Sequence, residues 1–122
     1  MLKPSSVVLY VDNLLVSSAF YQDLLGIKPE EPSPTFHSFK LSNEMGLSLK
    51  AKQSVEPSAH EDGRTELAFT LDNNRAIDEL FVEWQKKKIS ISQSPTVVPY
   101  GYTVVALDPD GNRLRAVSLG KS

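Results

Sequence analysis

The chain contains no cysteine, so it has no disulfide, no thiolate nucleophile and no sulfur-ligated metal site. No apolar run approaches the 18 residues of a membrane-spanning helix. The first residues also lack the apolar core of a signal peptide. These absences predict a cytoplasmic protein that makes no contact with a membrane.

The chain also has no large excess of charge of either sign. The 13 Lys and Arg residues are nearly matched by 15 Asp and Glu residues, which gives a net charge of −2. The one basic run, residues 86–88, ends a predicted helix, where the negative end of the helix dipole favours cations. Since no basic platform carries interleaved aromatic residues, the composition argues against nucleic acid as a partner.

The remaining composition is that of a globular domain. Apolar residues make up 40% and charged residues 23% of the chain, which is the usual balance for a soluble protein. A chain of 122 residues is long enough to bury roughly 65% of its unfolded surface. We therefore expect residues 1–122 to form a single domain.

A short motif occurs twice, 60 residues apart. Residues 9–13 read LYVDN and residues 69–73 read FTLDN, and each copy ends an apolar strand and precedes a helical pattern. Asn13 or Ser17 is suited to cap the first helix, and Asp72 or Asn73 the second. The repeat predicts two modules of similar structure.

Both helical patterns show apolar residues at helical spacing. Gly26 follows the first pattern and is expected to end that helix. Strand-like segments follow each helix. The expected helix stripes are Val16, Ala19, Phe20, Leu24 and Leu25 in the first module, and Ala76, Ile77, Leu80, Phe81 and Trp84 in the second. The expected strands are residues 6–11, 35–41 and 45–50 in the first module, and 66–71, 89–98, 102–107 and 114–119 in the second.

This order predicts an α+β chain of two βαβββ modules, residues 1–52 and 66–122, joined by a polar linker at residues 53–65. A βαβββ unit covers one face of its sheet with its own helix and leaves the other bare. Two such units are expected to place their bare faces around a cavity.

The last two strands are joined by a tight turn. Asp108 and Asp110 suit turn geometry, Pro109 fixes its own φ, and Gly111 tolerates a positive φ. The full hairpin reads GYTVVALDPDGNRLRAV over residues 101–117.

This hairpin, the opening SSVVLYVDNLLVSSAFYQDLLGIKP and the repeat resemble the vicinal-oxygen-chelate superfamily. That superfamily includes glyoxalase I, extradiol dioxygenases, and proteins of bleomycin, fosfomycin and phenazine resistance. The resemblance covers nearly the whole chain. It implies the glyoxalase/bleomycin-resistance fold, in which two βαβββ modules form a curved mixed sheet around a cavity.

The metal-dependent members carry His or Glu at positions that match Ser6, Ser48, Glu66 and Arg115 in this chain. A divalent cation needs three or four N or O ligands there. Only Glu66 can serve, and the guanidinium of Arg115 repels a cation. The resemblance therefore predicts that no metal and no other cofactor is bound.

Other catalytic residues are not evident in the sequence. His37 and His60 each stand alone, which favours exposed or hydrogen-bonded histidines over metal ligands. Neither a Gly-x-Ser-x-Gly elbow nor a Gly-rich phosphate loop is present. Glu66 and Arg115 are expected to form an ion pair, which either closes the former metal site or also contacts a ligand.

The segment from residue 46 onward looks most like the phenazine-resistance branch, whose members are metal-free dimers that sequester a planar aromatic antibiotic. Lys50 stands where that branch is expected to carry a stacking tryptophan. Phe36 and Phe39 lie three residues apart on one strand, so they cannot share a face, and strand core is the favoured location for both. The resemblance implies these ligand-binding residues: Tyr10, Ser48, Lys50, Glu66, Tyr100, Tyr102 and Arg115.

Three functions stay open at this point. The leading one is a cytoplasmic, metal-free homodimer that binds a small planar aromatic compound. The second is a lyase, isomerase or dioxygenase of the same superfamily with an atypical or degenerate metal site. The third is a regulatory dimer whose cavity is filled by side chains.

Overall fold

The computed structural model describes residues 6–41, 45–54, 65–99 and 101–119. The chain divides into two compact units, Met1–Asp62 and Gly63–Ser122. Both have the same order of elements, namely a strand, a helix and three further strands. The prediction of two βαβββ modules is confirmed.

The first unit is one mixed sheet with one helix. Its sheet order is β1-β4-β3-β2, with β1 parallel to β4 and the other neighbours antiparallel. A short 3-10 turn, Lys52–Ser54, follows the last strand. The elements are β1 (Ser6–Val11), α1 (Leu14–Leu25), β2 (Glu30–Ser33), β3 (Phe36–Lys40) and β4 (Gly46–Ala51).

The second unit repeats this arrangement. Its sheet order is β5-β8-β7-β6, again with one parallel pair, β5 and β8. The elements are β5 (Glu66–Thr70), α2 (Asn74–Lys86), β6 (Ser90–Val98), β7 (Gly101–Leu107) and β8 (Arg113–Ser118).

The repeated motif marks the start of each helix. The side-chain oxygen of Asn13 accepts a hydrogen bond from the backbone N–H of Val16 at 3.1 Å. The side-chain oxygen of Asn73 accepts one from Ala76 at 2.8 Å. Of the two caps expected for each helix, the asparagine is the one observed. Gly26, at φ 72°, ends α1 as expected.

The predicted apolar stripe of α1 is wrong. The residues that α1 buries are Leu14, Ser17, Ser18 and Tyr21, whereas Val16 is 52% exposed. This helix is apolar on nearly every side, so apolar spacing does not single out the face that packs on the sheet. In α2 the prediction holds better, because Ile77 and Trp84 are both buried.

His37 is buried and hydrogen-bonded, which is one of the two environments expected for it. Its Nδ1 lies 2.7 Å from the hydroxyl oxygen of Ser18 on α1. Its Nε2 lies 3.8 Å from a carboxylate oxygen of Glu31 on β2. The pair with Ser18 explains why α1 turns a serine toward the sheet. His60 lies outside the described residues.

The strand β2 was not predicted from the sequence. It contains Pro32 and is otherwise polar, which is not the apolar alternation of a typical strand. Proline has no N–H to donate, so it is tolerated where a strand lies at the edge of a sheet, as β2 does.

Among the residues that the structure describes, no helix is long and apolar enough to cross a membrane.

Candidate functional site on the helix-free sheet faces

Each sheet has one face toward its own helix and one face without a helix. In the second unit the hydroxyl of Tyr102 donates to Asp78 of α2, so even-numbered residues of β7 face the helix. Thr103 and Val105 therefore point to the other side, where the register places Arg115 opposite Val105. The helix-free face of the second unit includes, on β5, β7 and β8, Glu66, Ala68, Thr70, Thr103, Val105, Leu107, Arg113, Arg115 and Val117.

Arg115 lies at the centre of this face, on a strand flanked by β5 and β7. Its Nε donates to Oε1 of Glu66 on β5 at 3.2 Å. One terminal nitrogen donates to the hydroxyl oxygen of Thr103 on β7 at 3.2 Å. The ion pair expected between Arg115 and Glu66 is therefore formed, and it is shielded on the arginine side, where 17% of the side chain is exposed.

Thr103 is a site residue that the sequence analysis missed. It is fully buried, and its own hydroxyl hydrogen goes to the backbone oxygen of Ala116 at 2.8 Å. The hydroxyl oxygen is thereby turned toward Arg115 as an acceptor. The register of the hairpin was the available signal, because it puts Thr103 opposite Val117 and on the same face as Arg115.

These residues do not fit a divalent metal. A guanidinium already occupies Glu66, and Arg115 has no acceptor atom to offer a cation. Ser48, at another position where metal-dependent members carry a ligand, donates instead to the hydroxyl of Ser38 at 3.4 Å. Within the described parts of the chain, no three His, Cys, Asp or Glu residues cluster as a metal site would require.

The first unit has a helix-free face of different chemistry. His37 contacts α1, so Phe36 and Ser38 on the same strand point to the opposite side. Tyr10 and Phe36 are both registered against Lys50, from β1 on one side and β3 on the other. The three side chains therefore form one row across three strands, with the lysine between two rings. Here we call it the Tyr10–Lys50–Phe36 row.

The Tyr10–Lys50–Phe36 row is accessible. Tyr10 is 46% exposed, and Lys50 and Phe36 are half-buried. Phe36 was expected in the strand core, and that expectation is wrong because the core position belongs to Phe39, which is fully buried. Ser48 lies on the same face but is only 4% exposed. Its hydroxyl donates to Ser38 on the neighbouring strand and is not accessible at the surface.

Tyr102 was expected among the ligand-binding residues with Arg115, but the two side chains lie on opposite faces of the sheet. Tyr102 lies opposite Ser118 in the hairpin register, on the face that carries α2. Its hydroxyl donates to Oδ1 of Asp78 at 2.6 Å. This hydrogen bond raises the pKa of Tyr102 above its usual value, with burial and the carboxylate charge adding in the same direction. Tyr100 lies outside the described residues.

The hairpin that carries Arg115 is held by its turn. The carboxylate of Asp108 accepts hydrogen bonds from the backbone N–H groups of Asp110 and Asn112 at 2.9 and 2.8 Å. The Asn112 side chain donates to the same carboxylate and accepts from the N–H of Thr65 at 3.2 Å. The turn thus sets the register of β7 and β8, and ties it to the residue that precedes β5.

Comparison with known proteins agrees with this architecture. The chain is 28% identical over 119 residues to the phenazine antibiotic resistance protein EhpR of Enterobacter agglomerans, covering 95% of this chain and 92% of that protein. The NMR structure of protein ATC0852 from Agrobacterium tumefaciens is 41% identical, with a TM-score of 0.86 and coverage of 98% and 99% of the two chains.

A crystal structure of a glyoxalase/bleomycin resistance protein/dioxygenase from Nocardioides shares the fold. Its TM-score is 0.86 at 18% identity, with 100% of this chain and 86% of that chain covered. The family model of the Glyoxalase/Bleomycin resistance protein/Dioxygenase superfamily matches residues 3–116. With two βαβββ units and a family match over nearly its whole length, this chain belongs to the Glyoxalase/Bleomycin resistance protein/Dioxygenase superfamily.

Proposed function

We propose that this chain is a metal-free binding protein that sequesters a planar aromatic, phenazine-like compound. The observation that carries the proposal is the Tyr10–Lys50–Phe36 row, two accessible rings that flank a lysine on a helix-free sheet face. The similarity of the chain to a phenazine antibiotic resistance protein supports the same class of ligand.

Flat rings suit the chemistry of this row. Contacts between aromatic rings contribute about 0.5–1.5 kcal/mol beyond the area they bury. The ammonium of Lys50 adds attraction to an electron-rich ring or to an acidic substituent. The row therefore supplies affinity for a planar compound even though Lys50 stands where a stacking tryptophan was expected.

The site chemistry supports sequestration of the compound over its conversion. Glu66 is the one residue at the four expected metal-ligand positions that can ligate a cation, and it is paired with Arg115. A protein of this kind protects a cell by lowering the free concentration of the compound.

The test is a calorimetric titration of the purified chain with phenazine. Truncation at Tyr10→Ala or Phe36→Ala should weaken binding about fivefold each, the effect of losing one ring contact. Val97→Ala is the matched control, because Val97 is 79% exposed but registered opposite Tyr102, on the helix side of its sheet.

Recovery of the ligand distinguishes binding from catalysis. After a long incubation with excess compound, chromatography should return phenazine unchanged and in stoichiometric amount. Turnover of the compound, or unaltered affinity in both ring variants, would contradict the proposal.

We also propose that the protein is a cytoplasmic homodimer with twofold symmetry. Leu15 and Val16 on α1 are 73% and 52% exposed, and apolar side chains exposed together are typical of an interface. A twofold axis is the commonest way for identical chains to cover such surfaces. Light scattering at high micromolar concentration should give twice the mass of 13.5 kDa, and a monomer there would refute the dimer.

A further inference from the structure

Lys50 is a half-buried cation that lacks a neighbouring counter-charge. Its side chain lies on the helix-free face of the first unit, between Tyr10 on β1 and Phe36 on β3. Among the residues that the structure describes, no carboxylate lies within ion-pair distance of its ammonium group. Shielding a cation from water without pairing it costs free energy, so this position favours the approach of an anion.

Two other cations on the helix-free faces have their counter-charge within the chain. Lys40 lies on the same face as Lys50, and its Nζ is 3.3 Å from a carboxylate oxygen of Glu30. Arg115 in the second unit is paired with Glu66 at 3.2 Å. An anionic ligand would have to compete with a carboxylate at either of these cations, whereas at Lys50 no described carboxylate stands in its way.

We infer that Lys50 is the specificity-determining residue of the Tyr10–Lys50–Phe36 row, and that the row selects planar aromatic compounds that carry a carboxylate. The inference rests on the proposed function and deepens it, since it names the substituent of the ligand. The two rings contact the aromatic body of the compound, and the ammonium group of Lys50 donates charge-assisted hydrogen bonds to the acid. An aromatic ring that contains nitrogen atoms, as phenazine does, is electron-poor, so the attraction of the ammonium to the ring face itself contributes less.

The position of Lys50 in the sheet allows both contacts at once. Lys50 lies on β4, the strand between β1 and β3, and its register partners on those strands are the two ring residues. Side chains directly opposite each other on neighbouring strands are about 5 Å apart at their Cβ atoms. The edge of a compound that covers either ring is therefore within reach of the flexible stem of Lys50, which carries three donors at its end.

The experiment is a calorimetric titration of the whole chain at neutral pH with three ligands of one ring system, namely phenazine, phenazine-1-carboxylate and phenazine-1-carboxamide. The amide matches the carboxylate in shape but carries no charge. Wild type should bind the carboxylate about five- to tenfold more tightly than either neutral ligand, as expected for one partly shielded ion pair. Raising the ionic strength should reduce this preference, because salt screens the ion pair.

Three variants test whether the preference belongs to Lys50. Lys50→Met keeps an unbranched stem but no charge, and it should lose the preference for the carboxylate over the amide. Lys50→Arg keeps the charge and should retain the preference. Lys40→Met is the matched control, because it removes the same charge from the same face, but from a lysine that Glu30 already neutralises. It should retain the preference as well, and circular dichroism verifies that each variant is folded.

The possible results separate this inference from the proposed function. Equal affinities of wild type for all three ligands, or a preference that persists in Lys50→Met, would overturn the role of Lys50 while sequestration of planar aromatic compounds still stands. An equal loss of the preference in Lys40→Met would reveal a general effect of net charge, and it would also refute the role of Lys50. Wild-type protein that binds none of the three ligands would overturn the proposed function, and this inference with it.

Discussion

The hydroxyl of Tyr102 donates to the carboxylate of Asp78 across 2.6 Å, which ties β7 to α2 on the face of the sheet opposite Arg115. The tyrosine therefore belongs to the packing of the second unit. Its hydrogen bond exists only while the phenol is protonated, and this is the main reason that its pKa is raised.

Replacement of Tyr102 by phenylalanine should lower stability by about 0.5–1 kcal/mol, because the bond is a single one near the surface. A raised pKa in the folded state means that the stabilisation is fully present below the usual tyrosine pKa. It is lost as the pH rises through the folded-state value. Urea unfolding at neutral and at strongly alkaline pH should show a difference between wild type and Tyr102→Phe that shrinks at the alkaline pH.

Asp78→Asn is the control for that experiment, since it removes the carboxylate charge but retains a side-chain acceptor. It should reduce the alkaline loss of stability. If the stability difference between wild type and Tyr102→Phe is the same at both pH values, the stabilisation does not depend on the protonated phenol, and the prediction is wrong.

The ion pair of Arg115 with Glu66 should contribute more to stability than the ion pair of Arg75 with Glu79. The first has an arginine that is 17% exposed, whereas the second is an i,i+4 pair whose side chains are 84% and 67% exposed. We expect Arg115→Gln to cost about 1 kcal/mol after allowance for solvent screening, and Arg75→Gln below about 0.5 kcal/mol.

Adding Glu66→Gln to Arg115→Gln should recover part of the loss, because the carboxylate is then no longer left unpaired near the sheet. Chemical denaturation of the two single variants and the double variant measures this coupling. Strict additivity of the two single losses would show that the two side chains do not interact energetically.

The two asparagine caps should contribute similar amounts to the free energy of unfolding, since they occupy the same place in the repeated motif. Asn13→Ala and Asn73→Ala should each lower stability by about 1 kcal/mol, whereas aspartate at either position should retain most of it. Thermal or urea unfolding tests this. Neutral effects of both alanine variants would indicate that the helices depend on packing alone.

Addition of Zn²⁺ or Ni²⁺ should leave the melting temperature unchanged. Glu66 is engaged by a guanidinium, and Ser48 is engaged by Ser38, so neither is placed as one of several free donors around a cation. A saturable increase in melting temperature that a chelator reverses would contradict this reading of the ligand positions.

Much of the fold could be predicted from sequence because its signals are local. The apolar segments that end in the repeated motif predicted β1 and β5, and the tight turn predicted that β8 follows it. The two asparagines and Gly26 marked helix ends through hydrogen bonds to residues a few positions away. The strand β2 escaped prediction because an edge strand can be short and polar.

The candidate site was predicted in part. The pairing of Arg115 with Glu66 was expected because both residues match metal-ligand positions of the superfamily that the sequence resembles, and the structure forms the pair. Tyr102 was included with Arg115 among the ligand-binding residues because the sequence analysis did not use the pairing register of β7 and β8. A register with Leu107 opposite Arg113 puts Tyr102 on the side of α2.

The sequence by itself determined the two βαβββ modules, two candidate caps for each helix and the turn at residues 108–111, since each depends on residue type within a short stretch. Only the tertiary structure decided which side of α1 is buried and which hydroxyl holds Arg115. Ser18 turns inward because His37, 19 residues away, lies beneath it. Thr103 meets Arg115 because a hairpin folds β7 onto β8. Contacts between residues far apart in the chain produce no periodic pattern in the sequence. Where several faces of a helix are equally apolar, tertiary packing determines which face is buried.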